Sequence, residues 1–288
     1  IYGLDLNSLE IKEICYFNLH SQYEQNNDIT HEKAIFELDS LLNKSIKDRV
    51  LSSDIDVGAF LSGGIDSSII VAIASRYIKN LKTFTVKFDE GFDESTLAFE
   101  TAKQFSTNHH QLEIKMNLRH DIEGILSNYG EPFMDSSAIP SFYVSREAKK
   151  YLSVVLNGDG ADELFGGYRR YVPFANNWLR YLKYFAFIRT ILPKSNNKMN
   201  LYNYIYRLLK MSNKKGLDLY LSATTDIFED YYKFDKNSNN IMLDKLIENA
   251  NKSQLSGLSQ NLYLDTSLLL PYDLLKKMDI ATMSNSIE

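Results

Sequence analysis

Ser62-Gly63-Gly64-Ile65-Asp66-Ser67 follows the apolar run Val57-Gly58-Ala59-Phe60-Leu61 and opens a helix-like stretch from Ser68 to Ile78. The order is strand, glycine turn, helix. Two glycines let a backbone come close to a ligand, and the first amides of the following helix have no partner inside it. Those amides and the helix dipole favour an anion. A loop that handles a terminal phosphoryl group ends in Gly-Lys-Ser/Thr, whereas here the hydroxyls of Ser62 and Ser67 flank a carboxylate, Asp66. This set suits pyrophosphate held as a leaving group, with magnesium bridging to the acid, and points to an enzyme that splits ATP.

A second cluster, Gly158-Asp159-Gly160-Ala161-Asp162-Glu163-Leu164-Phe165-Gly166-Gly167-Tyr168, comes just after the apolar run 152–156. So many acids beside a strand end need a cation or strong donors. Asp66 and Asp162, arriving from two strands, could jointly hold the magnesium of an ATP, because that ion takes one or two carboxylates and fills its shell with water and phosphate oxygens. Such an ion would neutralise the departing pyrophosphate. Taken alone, the first motif also fits a plain turn and the second a solvated acidic loop. Finding both after strands of one sheet favours the chemical reading.

The elements that must position these residues follow from the hydrophobic pattern. Short β-rich runs at 57–61, 83–88, 110–114 and 152–156 alternate with segments of helical period, which predicts an α/β domain built on a parallel sheet. Ile69/Ile70/Ile73/Tyr77, Leu97/Thr101/Phe105 and Ile122/Ile125/Leu126/Tyr129 recur on helical spacing and are expected to be core stripes. Ligands of open sheets bind beyond the carboxyl ends of the strands, where both polar motifs fall. From about Phe174 the β signal fades. Segments 178–192 and 201–209 predict a mostly helical second part, with loops at 194–200 and 235–240. The expected organisation is a linker-like segment 1–30, an ATP-binding α/β core 31–173 and a helical portion 174–288.

With 288 residues, 44% of them hydrophobic, the chain can bury one large core or two smaller ones. Its net charge of −5 carries no basic footprint for nucleic acid. Cys15 is the only cysteine, so no internal disulfide framework or cysteine-based zinc site is expected, and a reducing, cytoplasmic setting fits. Cys15 itself is expected to be a small buried hydrophobe. The longest apolar run, 69–74, is far short of the roughly 20 residues that a membrane helix needs. The opening Ile1 and the closing Glu288 read as cuts within a longer protein.

Ser62 to Ser67, Gly158 to Tyr168 and the intervening Glu131-Pro132-Phe133-Met134-Asp135-Ser136-Ser137-Ala138-Ile139-Pro140 together resemble the synthetase domain of glutamine-hydrolysing asparagine synthetases. The first motif alone is shared by a wider PP-loop group of ATP pyrophosphatases; the other two are narrower. The likeness runs from Tyr16-Phe17 through Thr83-Phe84-Thr85-Val86 and Thr107-Asn108-His109-His110 to Leu270-Pro271-Tyr272-Asp273 and the last ten residues.

The resemblance implies that the β-carboxylate of aspartate attacks the α-phosphorus of ATP, giving β-aspartyl-AMP and pyrophosphate, and that ammonia then displaces AMP. It implies that Leu61 and Val86 hold the adenine and ribose side through their backbone. Ser62, Gly63, Gly64, Asp66 and Ser67 would hold pyrophosphate, Asn157-Gly158 the nucleotide from the opposite strand, and Asp66 with Asp162 the Mg2+. Asp159 stands where the family carries an acid that orients or deprotonates the incoming ammonium. Glu131, Asp135, Ser136, Ser137 and Asp273 fall near the acyl-acceptor pocket, although Asp135 to Ser137 also fit a helix cap.

Asn157 replaces a common serine and Ser106 a common glycine. The glutaminase domain of full-length relatives, with its N-terminal cysteine nucleophile, is not in this sequence, and neither is a family lysine expected beyond Glu288. The chain is therefore expected not to hydrolyse glutamine itself but to receive ammonia in its parent protein, as a monomer or a homodimer. Related enzymes use the same core to close β-lactams, cyclise peptides or amidate sugar acids. Ring-forming members commonly carry tyrosine where Asp159 stands, so Asp159 favours ammonia as nucleophile. A non-catalytic ATP-binding domain is the alternative of another class. His109 and His110, adjacent on a strand, are expected to face opposite ways. Asp93 or Ser95 is expected to cap a helix, and Arg169 and Arg170 to contact an acid or to pack beside Tyr168 and Tyr171.

Overall fold

The segment from Val57 to Leu156 folds around a parallel sheet. The computed structural model describes residues 2–6, 8–25, 29–87, 95–193, 200–224, 241–252 and 255–288. Strands β1 (Tyr2–Leu4) and β2 (Ile11–Glu13) pair antiparallel and precede helices α1 (Leu19–Glu24) and α2 (His31–Leu51). The sheet itself comprises β3 (Val57–Phe60), β4 (Lys82–Lys87), β5 (Asn108–Glu113) and β6 (Val154–Leu156), in the order β5-β4-β3-β6 with every pair parallel. Helices α3 (Ile65–Ala74), α4 (Ser95–Gln104), α5 (Leu118–Ser127) and α6 (Ala138–Ala148) lie between the strands in sequence. This is the expected α/β class, with β3 at an inner position, paired on both edges.

Contacts divide the chain into two compact units, 28–161 with 269–288, and 1–27 with 162–268. In the first, Ala59, Leu61, Val71, Ile73, Leu81, Ala98 and Ala102 form one buried cluster. Phe84, Leu112, Ala148, Leu152 and Ile287 form another. The last residues join the sheet unit through α14 (Leu275–Met283) and through backbone bonds beside β6. Glu288 N–H donates to the Ser153 carbonyl at 2.8 Å and the Glu288 carbonyl accepts from Val155 N–H at 2.9 Å.

The helical stripes need correction. Ile69, Tyr77, Leu97 and Leu126 are exposed, while Ile73, Ile125 and Tyr129 are buried as expected. On α4 the buried positions are Ala98 and Ala102, four apart, because small side chains let the helix lie close to its neighbours. Cys15 is exposed rather than buried, with its thiol donating to the Phe17 carbonyl. The proposed Asp93 cap and strand residue Phe88 lie outside the described residues, as do the loops at 194–199 and 235–240.

From Ala161 onward the chain is mostly helical: α7 (Ala161–Phe165), α8 (Val172–Ala175), α9 (Trp178–Leu182), α10 (Leu201–Met211), α11 (Gly216–Thr224), α12 (Ile241–Lys252) and α13 (Gly257–Leu264). Asp265, fully buried, accepts from Arg170 and Tyr220 at 2.8 Å each and from Tyr171. Arg170 thus pairs with an acid and also stacks over Tyr168 and Tyr171. Among the described residues, no helix is long and apolar enough to cross a membrane.

Candidate active site

At the end of β3 the chain is fixed to β4 before it turns. Leu61 N–H donates to the Phe84 carbonyl at 2.8 Å, and the Leu61 carbonyl accepts from the Thr85 hydroxyl. Ser67 then pins the turn from inside. Its buried hydroxyl accepts from Ser62 N–H at 3.1 Å and lies 2.9 Å from the Ser62 hydroxyl and 3.2 Å from the Gly64 carbonyl. The Ser62 hydroxyl accepts in turn from Gly64 N–H at 3.2 Å. With Ser67 drawn inward, Asp66 on the first turn of α3 is exposed. Gly64 caps α3 without a side-chain acceptor, so the start of the helix keeps its affinity for an anion.

β6 pairs with β3, which brings the second motif to the same rim. A Cβ on Gly158 would stand 3.3 Å from the Ser67 nitrogen and 3.5 Å from the Asp66 Cβ. A side chain there would have to push the start of α3 back by a few tenths of an ångström. Asn157 Nδ2 donates to Asp159 Oδ2 at 2.7 Å while its Oδ1 accepts from Gly158 N–H at 2.7 Å, so one amide side chain sets both neighbours. Gly160, at φ +100°, turns the chain away beneath Leu270. Val86, half-buried on β4 opposite Leu112, lies next to that strand's last residue.

Asp162 belongs to the other unit. Its carbonyl accepts from the amides of Gly166 and Gly167, and a Cβ at Gly167 would collide with its carboxylate. Glu163, next to it, is fully buried: Oε1 accepts from Tyr168, and Oε2 has no partner among the described residues.

The expected acceptor residues divide. Asp135 and Ser137 come together: Asp135 Oδ1 accepts from Ser137 N–H at 2.9 Å and Oδ2 from the Ser137 hydroxyl at 2.7 Å. The cap reading fails for Ser137, which occupies the N-cap of α6 with no side-chain cap bond. Lys277, buried on α14, donates to Asp135 Oδ2 at 2.9 Å and to the Ser137 hydroxyl at 2.7 Å. Burial opposes the charged form of Asp135, but the bonds from Lys277 and Ser137 outweigh it and lower its pKa. Burial and the neighbouring Asp135 raise that of Asp273, whose Oδ1 is buried without a partner among the described residues. Burial, with Asp135 and Asp273 nearby, pushes Tyr129 up to about 12. Glu131 is exposed and paired with Lys276, and Ser136 is exposed beside this network. A cavity of about 250 Å³ is lined by Phe60, Ser137, Ser141, Asn157, Asp159 and Lys277 among others.

The family model described as asparagine synthase matches residues 37–288. The chain belongs to the asparagine synthase family. It is 32% identical over 254 residues to glutamine-hydrolyzing asparagine synthetase 1 of Bacillus subtilis, a match that covers 83% of this chain and 38% of the relative. A Methanocaldococcus jannaschii protein, given the same enzyme name provisionally, is 38% identical over 170 residues, or 57% of this chain and 32% of its own. A Mycobacterium bovis protein, also named provisionally, is 41% identical over 137 residues, 47% of this chain and 21% of its own. The chain thus spans well under half the length of the relatives it matches.

Within this asparagine synthase family chain, the cradle at Gly158, the uncapped start of α3 and the two serine hydroxyls fit a polyphosphate. Among the described residues, no three His, Cys, Asp or Glu side chains gather into a metal cage. Lys277 does not stand out in the sequence, because Lys276-Lys277 resembles a solvated helix face. Its spacing from Asp273, i to i+4, was the available signal. His109 and His110 do face opposite ways: His109 bonds the Thr83 hydroxyl, whereas His110 stacks on Phe84. Burial and then the adjacent His110 lower the pKa of His109.

Proposed function

We propose that this chain is the amide-forming part of an asparagine synthetase, activating the β-carboxylate of aspartate with ATP and passing the acyl group to ammonia. The observation that carries this reading is the close approach of Gly158 to Ser67, which joins two sequence-distant motifs into one cleft at the carboxyl ends of β3 and β6. Ser62, Gly63, Gly64, Asp66 and Ser67 bind the pyrophosphate portion of ATP, while Leu61, Val86 and the Asn157-Gly158 backbone hold the nucleoside side. Asp66 would offer a carboxylate to Mg2+, and Asp162 is the second acid proposed for that ion. Such an ion would supply positive charge to the departing pyrophosphate.

Asp159, oriented by Asn157, takes a proton from the nitrogen nucleophile as it attacks the acyl carbon. Asp135, Ser137 and Asp273 shape the side that takes the carboxylic acid. Ammonia comes from glutamine through a glutaminase domain in the full-length protein, and the ATP requirement suits the cytoplasm. ATP–pyrophosphate exchange by the full-length protein tests the reading: exchange dependent on magnesium and L-aspartate is expected. Exchange with a different acid alone would move the enzyme to another product, and exchange with none would overturn the proposal.

A further inference from the structure

The cavity beside Asp159 contains a cation that the proposed chemistry does not use. Lys277 lines it, together with Ser137, Ser141, Asn157 and Asp159 and the apolar Phe60, Pro140, Val144 and Met278. Only 8% of Lys277 is exposed, so its ammonium has lost most of its water and needs fixed partners. Asp135 Oδ2 and the Ser137 hydroxyl take two of its bonds. An ammonium has three donors, and the third has no acceptor among the described residues. The Asp135–Ser137 pair holds the lysine in one position. Burying a lysine at the wall of a small, mostly apolar cavity, with Asp135 bonded to it and Asp273 near enough to feel its charge, is a costly arrangement unless the remaining donor meets a ligand.

We infer that Lys277 receives the second, non-reacting carboxylate of the acid being activated and so selects small dicarboxylic acids, with Asp135 and Ser137 as positioning residues. This rests on the acyl-activating reading of the site. At about 250 Å³ the cavity suits an acid of four or five carbons rather than a peptide or a sugar chain. Its lining includes one cation, Lys277, and one anion, Asp159, which matches an amino acid carrying charges of both signs.

The test uses the full-length protein that contains this chain, with Lys277→Met alone and Lys277→Met combined with Asp135→Asn. The double variant removes the buried counter-charge and remains informative if the single variant does not fold. The readout is the ratio of kcat/KM for L-aspartate over β-alanine in ATP–pyrophosphate exchange, since β-alanine lacks only the α-carboxylate. The ratio should fall by about 10- to 100-fold, the range for a lost charged hydrogen bond. An unchanged ratio in a folded variant would overturn the inference. Should the wild type exchange with neither acid, the functional reading fails, and stabilisation by succinate in a thermal-shift titration decides Lys277 separately. Succinate protection that is lost in the variant supports the inference; equal protection, or none in the wild type, overturns it.

Discussion

A methyl group at position 158 would press on the Ser67 amide at 3.3 Å, tighter than an ordinary contact. Gly158→Ala should therefore weaken Mg–ATP binding by about 10-fold or more, as expected when an anion-binding amide is blocked at a cost of roughly 1.5 kcal/mol. Calorimetric titration checks this, and an unchanged Kd would remove the cradle from the argument. Asp159→Ala should separate the two half-reactions. Exchange of pyrophosphate should persist, while amide formation in a single-turnover assay should slow by about 100-fold, the lower range for loss of a general base. Full amide synthesis by that variant would overturn the role of Asp159. Ser62 to Ser67 and Asn157 to Asp159 were legible as neighbours because each motif is contiguous and directly follows a strand of one sheet. Lys277 was not, because its meaning comes from Asp135 and Ser137, which meet it only through the packing of α14 near α6.

Helices α5 and α6 are tied by a single carboxylate. Asp121 accepts from Tyr143 at 2.9 Å, from Arg146 at 3.0 Å and from its neighbour His120 at 2.8 Å. The bonds from His120 and Tyr143, with Arg146 adding charge, hold its pKa down to about 2. A depressed carboxylate contributes stability above its unfolded value and loses it as pH falls through the folded one. The stability gap between wild type and Asp121→Asn should thus be constant above about pH 5 and close toward about pH 2. Urea midpoints across that range measure it, and a gap independent of pH would discount the ionic link. At this scale the sequence revealed where helices and strands lie better than which face they bury. Leu97 follows the helical period, yet Ala98 and Ala102 face the core, since close packing rewards the smaller side chain and hydrophobicity alone does not reveal that.

Across the whole molecule each unit has its own structural anchor. In the helical unit, Asp265→Ala would strand the Arg170 guanidinium, and a broken buried pair costs about 3–5 kcal/mol. In the sheet unit, Ile287→Ala would open a void beside Phe84 and Leu112, worth about 2–5 kcal/mol. Differential scanning calorimetry of both variants should show lowered transitions, and a change within error in either would refute that anchor. Boundaries drawn along the sequence run in order, whereas the sheet unit takes its last segment from the far end of the chain, a long-range choice that local pattern does not encode. That segment has a kinetic consequence. During synthesis β6 leaves the ribosome with its outer edge unpaired, and the Glu288 backbone that covers it arrives only after the entire helical unit has been made. For that interval the nascent chain carries an open strand edge, the kind of template on which chains stick to one another. Cellular yield should therefore depend on how quickly translation reaches the C-terminal segment and on chaperones that shield the edge until it does.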